Sequence, residues 1–361
     1  MKVGFDIRPA LFGGAGVGRY ARELAAALTR LPDGPFLELY GAAWRHGELP
    51  PGTLAAGRHR LHRGPLPARA WRWIHRLPGC DAARLPARVA LFHWTDYVYP
   101  PVRSAPRVLT LHDAAFALDP AFHGRNTPVL MARVQAALQH ADRVIVVSEP
   151  ARADAEFLGV STPRIRVVAN GVSPFFQPPL QPPARPDYLL SVGTLEPRKN
   201  YPRLLQALEQ LWDRDEGPDW VLVGHRGWEC ADFEARLASS RHRARVRWLA
   251  AAGDDELLRL YQQAAALLYP SLHEGFGLPV LEAMACATPV LVAAASAPAW
   301  VAGPAAVTVD PRDPAAIADG IRRVLAAPRA GLAAALAARA AQFTWERAAR
   351  ETCHIYRELA L

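Results

Sequence analysis

Residues 273–282 read HEGFGLPVLE, in which a turn broken by two glycines separates the carboxylates of Glu274 and Glu282. Gly275 and Gly277 let the backbone approach a ligand closely, and the proline that follows is well tolerated in the first turn of a helix. A loop that leads into a helix N-terminus offers unpaired N–H groups and a positive dipole to phosphate. The stretch therefore predicts a diphosphate site with one acid near each end, as in a nucleotide-sugar site.

A pair of neighbouring cations supports the same interpretation. Of the 42 basic residues, only Lys2 and Lys199 are lysine. Lysine presents a flexible point charge and arginine a rigid fork, so the two are not interchangeable on a phosphate. Arg198 and Lys199 lie between a strand-like run and a helical run, which places them at the carboxyl edge of a parallel sheet, where α/β proteins bind ligands. A lysine retained on a solvated helix start is the alternative explanation.

Apolar runs alternate with helical stretches along the whole 361-residue chain, which is typical of α/β architecture. Predicted strands lie near 2–7, 36–41, 90–93, 107–111, 143–147, 165–168, 188–193, 219–223, 245–249, 266–269, 289–293 and 306–309. Predicted helices lie near 18–30, 127–140, 150–158, 201–212, 230–240, 254–263, 278–287, 314–327 and 330–342. We expect two Rossmann-like domains that face each other across a cleft, and such clefts commonly bind ligands.

Five prolines between 178 and 186 predict an interdomain linker. We place an N-terminal, acceptor-side and membrane-facing domain at 1–176, the linker at 177–187 and a C-terminal, donor-side domain at 188–344. The remaining residues, 345–361, predict one more helix, which crosses back to the N-terminal domain.

Cysteine usage favours a reducing compartment. The four cysteines, at positions 80, 230, 286 and 353, show no C-x-x-C spacing, so they predict neither a zinc site nor a disulfide framework. The N-terminal run MKVGFDI reads as a buried strand and not as a signal peptide. We expect a cytoplasmic protein.

Positive charge is concentrated in the first 180 residues, where 22 basic residues face 13 acidic ones; the other half holds 20 and 21. The segment 58–88 contains eight arginines, interleaved Trp71 and Trp73, and one acid, Asp81. Basic residues mixed with aromatic ones suit an anionic membrane surface, so we expect a peripheral location on the inner face of the cell membrane. A solvated, arginine-rich face is an equally good explanation. Nucleic acid competes for such patches, but we do not expect it here.

A glycine-rich loop follows the first predicted strand. GGAGVG (13–18) opens a helix, but it departs from the dinucleotide fingerprint G-x-G-x-x-G because Arg19 stands at the third glycine position. The backbone donors still predict a phosphate-facing role, with a tight strand-to-helix turn as the alternative.

Polar residues end two further predicted strands. His112 ends the strand near 107–111, a position that favours a site over a structural role. His93 and Asp96 end the preceding strand and are candidates for an acceptor pocket, with core packing as the alternative.

Together these motifs resemble the retaining family 4 glycosyltransferases, which have the two-Rossmann GT-B architecture. The matching pieces run in order over nearly the whole chain: GGAGVGRY (13–20), LHD (111–113), VIVVSE (144–149), RIRVVANGV (164–172), SVGTLEPRKN (191–200), VGHRGW (223–228) and HEGFGLPVLEAMA (273–285). The chain departs from the family where Ala287 replaces a common glycine and Ala299-Trp300 replaces a Pro-Glu pair.

The resemblance implies roles on the diphosphate. Gly14 and Gly16 would approach the donor diphosphate through their backbone. Arg198 and Lys199 would neutralise the charge that develops on the leaving nucleoside diphosphate, so that neither a metal nor another cofactor is required.

The resemblance also implies contacts to the sugars. Glu282 would bind ribose hydroxyls, His112 would donate to the transferred sugar, and Glu274 would hold sugar hydroxyls beside the reacting carbon. Backbone groups of the glycine turn would assist at Phe276, Gly277 and Leu278.

The leading hypothesis is transfer of a hexose to a lipid-linked or polysaccharide acceptor, with mannose from GDP-mannose indicated by overall likeness. A GT-B phosphorylase or a nucleotide-sugar epimerase is a second hypothesis, and phosphorolysis with pyridoxal phosphate would require Lys199 as the Schiff base. A non-catalytic carbohydrate- or nucleic-acid-binding protein on the same fold is the third.

Overall fold

The computed structural model describes residues 1–11, 16–41, 47–63, 81–82, 87–96, 101–119, 122, 127–181 and 187–360. The chain divides into two units. The first comprises Met1–Ala114, Pro128–Gly171 and Thr344–Leu361, and the second comprises Ala115–Thr127 and Val172–Phe343. Each unit is built around its own parallel sheet.

The first unit contains a sheet of seven strands in the order β3-β2-β1-β4-β5-β6-β7. The strands are β1 (Lys2–Asp6), β2 (Phe36–Gly41), β3 (His59–Arg63), β4 (Leu91–Trp94), β5 (Arg107–Leu111), β6 (Arg143–Val146) and β7 (Ile165–Val167). The main helices are Arg8–Leu11, Gly16–Arg30, Thr127–His140, Pro150–Phe157 and Trp345–Ala360. The strand order reverses between β1 and β4, as in a Rossmann-like fold.

The sequence predicts all of these strands except β3. Its sequence, HRLHR, contains one apolar residue, Leu61. β3 lies at an edge of the sheet and pairs with β2 in parallel. Charged side chains are common on edge strands, where they discourage pairing with other chains. The first part of the basic segment therefore belongs to a sheet edge.

Two helices of the first unit pack together. The helix Gly16–Arg30 buries Tyr20, Leu24 and Leu28, whose spacing of four residues places them in one stripe. The C-terminal helix contacts this helix, and the ring centroids of Trp345 and Tyr20 lie 6.0 Å apart. The predicted return of the terminal helix to the N-terminal half is confirmed.

The second unit contains a sheet of six strands in the order β10-β9-β8-β11-β12-β13. The strands are β8 (Tyr188–Val192), β9 (Asp219–Val223), β10 (Val246–Leu249), β11 (Ala264–Tyr269), β12 (Val290–Ala293) and β13 (Val307–Val309). The helices are Ala115–Leu118, Tyr201–Trp212, Ala231–Ser239, Asp254–Gln263, Leu278–Ala285, Ala297–Ala302, Pro314–Ala326 and Arg329–Ala340. The predicted pair of parallel, Rossmann-like α/β units is confirmed.

A buried polar link joins three central strands of the second unit. The Ser191 hydroxyl on β8 donates to the Leu268 carbonyl on β11 at 2.8 Å and accepts from Trp220 Nε1 on β9 at 3.1 Å. All three residues are buried, and buried polar groups are stable when they are hydrogen-bonded. The link therefore favours this strand order and anchors β8, the strand that leads to Arg198 and Lys199.

Candidate active site

The loop after β8 brings Arg198 and Lys199 to the carboxyl edge of the second sheet. It closes in a short 3-10 turn, and Asn200 then adopts φ +64° at the start of the next helix. The buried Asn200 amide donates to the Pro270 carbonyl at 3.0 Å and to the Pro311 carbonyl at 2.6 Å. The loop is thereby fixed to the neighbouring loop that follows β11.

Glu274 joins the two cations in one ion cluster, which comprises Glu196, Arg198, Lys199 and Glu274. Glu274 Oε2 lies 2.6 Å from Arg198 Nη1, and Glu274 Oε1 lies 2.5 Å from Lys199 Nζ. Arg198 Nε lies 2.7 Å from Glu196 Oε1. Both carboxylates and the lysine are buried. The structure thus brings together Arg198, Lys199 and Glu274, three of the four residues, with His112, that the resemblance places at the reacting sugar and the leaving group.

The ion cluster keeps Glu274 charged. Burial raises the pKa of this carboxyl, but Arg198 and Lys199 outweigh burial and lower the pKa of Glu274 to about 2. Burial lowers the pKa of Lys199, and the charge of Glu274 opposes that lowering. A carboxylate with so low a pKa is a weak base and a weak nucleophile. It is better suited to accept hydrogen bonds from hydroxyl groups.

Gly193 provides room for Lys199. An added Cβ at this position would lie 3.1 Å from Lys199 Cε and 3.2 Å from Tyr201 Oη, and φ is +153°. The Tyr201 hydroxyl donates to the Gly193 carbonyl at 3.0 Å. A side chain at position 193 would therefore strain the backbone and require Lys199 and Tyr201 to shift by a few tenths of an ångström.

The glycine turn has the geometry that its sequence predicts. Gly277 has φ +99°, a left-handed conformation that favours glycine, and it precedes the helix Leu278–Ala285. Phe276 is buried, and its ring centroid lies 6.0 Å from that of Phe343. Because this side chain packs inside the unit, the backbone is the part of Phe276 that is left for a ligand.

The helix after the turn ends at Ala285, two residues before the predicted end. Ala287 N–H donates to the Met284 carbonyl and Thr288 N–H donates to the Ala283 carbonyl, both at 2.9 Å, which is the Schellman arrangement. Ala287 has φ +57°. This left-handed conformation is a physical reason for the glycine that the family commonly has here.

Glu282 lies in the same helix and is held by a tyrosine. The Tyr261 hydroxyl donates to Glu282 Oε2 at 2.9 Å, and both side chains are buried. Glu274 and Glu282 thus stand on the two sides of the glycine turn in one unit. Their contact with one bound molecule stays a prediction.

His112 lies in the first unit, directly after β5. Its Nε2 is 3.0 Å from the Thr95 carbonyl, so this nitrogen carries the proton and donates. Burial lowers the pKa of His112, with the charges of Asp96 and Asp113 acting in the opposite direction. In the neutral ring Nδ1 is then an acceptor. Donation to a transferred sugar would require a second proton, and acceptance from a sugar hydroxyl would not.

His93 is fully buried in the first unit. Its Nδ1 lies 2.6 Å from the Tyr356 hydroxyl and its Nε2 lies 2.8 Å from the Thr110 hydroxyl. Burial lowers the pKa of His93 to about 3. This geometry gives His93 a packing role and does not support the predicted role in an acceptor pocket. Asp96 is half-buried just after β4 and remains a candidate.

The sequence patterns above do not single out Asp6 and Arg8. Asp6 is fully buried at the end of β1, and its carboxylate accepts from Arg8 Nε at 2.7 Å and from Arg8 Nη2 at 2.6 Å. β1 pairs with β4, and the charge of Asp96 after β4 acts on both residues. The feature of the sequence that could have identified this pair is the presence of two opposite charges in the otherwise apolar run GFDIRPALF.

Two predicted features lie partly or wholly outside the described residues. Gly14 lies outside them, whereas Gly16 is the exposed first residue of its helix, where an added Cβ would meet no atom of the described residues within 4 Å. Packing against those residues therefore does not require glycine at position 16. Of the basic segment 58–88, residues 64–80 and 83–86 lie outside.

Two kinds of feature are absent from the residues that the structure describes. None of the helices in these ranges is long and apolar enough to cross a membrane. Within the same part of the chain, no group of three or more His, Cys, Asp and Glu side chains could hold a metal ion.

Two family models match consecutive parts of the chain. A model described as Glycosyltransferase Family 4 matches residues 14–174, and one described as Glycosyl transferases group 1 matches residues 173–343. Both the ion cluster and the glycine turn fall within the second match.

Individual proteins are similar over the full length. The O-antigen chain mannosyltransferase B of Escherichia coli is 29% identical, covering 99% of this chain and 100% of that protein. A solved sucrose-phosphate synthase from Thermosynechococcus elongatus has a TM-score of 0.75 at 23% identity, with 99% of each chain covered. The Anabaena protein HepE, solved with UDP and glucose, has a TM-score of 0.73 at 17% identity, covering 99% of this chain and 100% of that one. The two solved structures share the fold of this chain.

Proposed function

Because the chain belongs to the GT-B glycosyltransferases of family 4 type, we propose that it transfers a hexose from a nucleoside diphosphate sugar bound at the ion cluster. The observation that carries the proposal is the buried contact of Glu274 with Arg198 and Lys199. It places two fixed cations and one ionised carboxylate beside a glycine turn that leads into a helix.

Arg198 and Lys199 would act on the leaving group. As the bond between the sugar and the diphosphate breaks, negative charge grows on the diphosphate, and fixed cations aimed at that charge lower the barrier. The ion cluster orients both cations before the reaction. In this proposal the two cations stabilise the leaving diphosphate without a divalent metal. Gly14 and Gly16 would add backbone contacts to the diphosphate.

Glu274 would accept hydrogen bonds from hydroxyls of the transferred sugar, and His112 would accept one through Nδ1. We further propose that the configuration at the anomeric carbon is retained. The acceptor oxygen attacks the face from which the diphosphate leaves, and the departing phosphate takes the acceptor proton. Glu274 forms no covalent intermediate in this scheme, in contrast to the nucleophile of retaining hydrolases, because its low pKa makes it a weak nucleophile.

The proposed donor is GDP-mannose, and the proposed acceptor is a lipid-linked glycan or a polysaccharide. The support is the end-to-end similarity to the O-antigen chain mannosyltransferase B. Glu282 would bind the ribose hydroxyls of the donor, and Asp96 would accept hydrogen bonds from acceptor hydroxyls. The basic segment 58–88 would hold the protein at an anionic membrane surface on the cytoplasmic side.

A donor panel tests this function. Thermal shift with GDP-mannose, UDP-glucose and the free nucleotides should show the largest rise in Tm for the true donor, because a ligand that binds the native state stabilises it. Hydrolysis of that donor without acceptor should continue in EDTA, and NMR of the released sugar should show the α anomer first when the donor is the α anomer. Nucleotide-sugar binding without any turnover would instead favour a non-catalytic protein, and a pyridoxal absorbance band would favour a phosphorylase.

A further inference from the structure

Two buried phenols contact charged residues of the predicted donor site. Tyr269, the last residue of β11, accepts a hydrogen bond from Lys199 Nζ at 2.7 Å, and the charge of Glu274 acts on its phenol. Tyr261, in the helix that precedes β11, donates to Glu282 Oε2 at 2.9 Å. Tyr269 is 4% exposed and Tyr261 is 0% exposed.

We propose that Tyr269 and Tyr261 are positioning residues of the donor site, the first for Lys199 and the second for Glu282. The inference rests on the proposed function and deepens it, because it assigns one phenol to the leaving-group cation and the other to the ribose-binding acid.

The hydrogen-bond inventory of Lys199 supports the role of Tyr269. An ammonium group has three N–H donors and no acceptor. Lys199 uses one on Glu274 Oε1 at 2.5 Å and one on Tyr269 Oη at 2.7 Å. Two contacts fix the position of Nζ, and the third N–H has no partner among the residues that the structure describes. That N–H is the one available to a diphosphate oxygen.

Tyr269 holds Lys199 as a neutral phenol. Its oxygen accepts from the ammonium group of Lys199. Burial raises the pKa of Tyr269 well above its ordinary value, so the phenol stays protonated. Lys199 thus has two tethers, one to Glu274 and one to Tyr269. Without the phenol oxygen, Lys199 keeps one tether to Glu274 and can turn about it.

Tyr261 affects a different step. Its hydroxyl orients Glu282, and a ribose contact is the same in the bound substrate and in the transition state. Loss of such a contact weakens donor binding without slowing the chemical step, whereas loss of a contact to developing charge lowers kcat. Substitution of Tyr269 should therefore affect kcat, and substitution of Tyr261 should affect KM.

Three Tyr→Phe variants test the proposal. Tyr269→Phe and Tyr261→Phe each remove one oxygen and keep the ring. Tyr188→Phe is the matched control, because Tyr188 is buried in the same unit and its hydroxyl donates to the Leu260 carbonyl at 2.9 Å. The assay is release of GDP from GDP-mannose without acceptor, which gives kcat and KM, together with Tm for each variant.

Tyr269→Phe should lower kcat by about tenfold to a hundredfold with little change in KM, as expected for a lost hydrogen bond to a charged group. Tyr261→Phe should raise KM by about tenfold with kcat unchanged. Tyr188→Phe should change neither, and the three variants should lose similar amounts of Tm. If the wild type turns over its donor and the three variants have the same kcat and KM, the inference is overturned and the proposed function is not. No turnover of any nucleoside diphosphate sugar by the wild type overturns the proposed function and this inference with it.

Discussion

Lys199 Nζ lies 2.5 Å from Glu274 Oε1, and both side chains are buried. Removing one member of a buried ion pair leaves an uncompensated charge and is strongly destabilising. The same contact orients the only lysine of the second unit beside the turn that is predicted to bind a diphosphate. Stability and the proposed chemistry therefore depend on one pair of residues.

Lys199→Arg tests the need for a compact cation. The guanidinium is larger and planar, and the space beside Gly193 is already narrow. We expect kcat for donor hydrolysis to fall by about a hundredfold, the usual effect of losing one group that stabilises transition-state charge. Lys2→Arg is the matched control, because Lys2 is exposed and lies 3.7 Å from Glu38. Equal rates for both variants would contradict the assignment of Lys199.

The low pKa of Glu274 predicts a loss of stability in acid. The ordinary value is 4.5 and the folded value is about 2, so the ionised carboxylate contributes fully above pH 4.5. That contribution is lost as the pH falls through about 2, and it corresponds to about 3 kcal/mol of unfolding free energy. Urea unfolding should show that the free energies of unfolding of the wild type and of Glu274→Gln become more similar as the pH falls from 4.5 to about 2. A difference independent of pH would show that the ion cluster does not lower this pKa.

Ala287→Gly should stabilise the protein. Ala287 occupies the left-handed position of a Schellman motif with φ +57°, where a Cβ is strained and glycine is not. We expect relief of this strain to raise the free energy of unfolding by about 1 kcal/mol. The larger entropy of glycine in the unfolded chain offsets part of that gain. Ala335→Gly, on an exposed helical position, should instead cost about 1 kcal/mol. Denaturant unfolding of both variants distinguishes these signs, and a loss at position 287 would count against the motif.

The membrane hypothesis depends on the arginines of the basic segment. Replacing Arg69, Arg72 and Arg76 with serine should weaken binding to anionic liposomes, most clearly at low salt, because screening reduces such attraction. A control variant should lose the same charge from exposed arginines of the second unit, at positions 236, 241 and 243. Sedimentation with liposomes measures both. Equal binding by the two variants would remove this segment from consideration.

The sequence predicts well what depends on local pattern. Apolar periodicity identifies every strand of both sheets except β3, whose HRLHR pattern lacks the alternation of a half-buried strand. The glycine turn and the helix after it follow from Gly277 and from Pro279, because each restricts or frees its own backbone. The proximity of Arg198 to Glu274 follows from the parallel sheet, because β8 and β11 are neighbours and the loops after them begin at the same edge.

Contacts between residues far apart in the chain are not visible in the sequence. Nothing local distinguishes His93, whose partners Thr110 and Tyr356 lie 17 and 263 residues away. The same holds for Tyr261, which reaches Glu282 across 21 residues. The proton on Nε2 of His112 is set by the Thr95 carbonyl, which only the folded unit supplies.

The central claim is that Arg198 and Lys199 bind the diphosphate of the donor. A crystal structure of the protein with GDP tests it most directly. The account predicts diphosphate oxygens within hydrogen-bond distance of the Arg198 guanidinium and of Lys199 Nζ, with the ribose hydroxyls on Glu282. A GDP molecule bound with its diphosphate on other residues, and with the ion cluster unchanged, would contradict it.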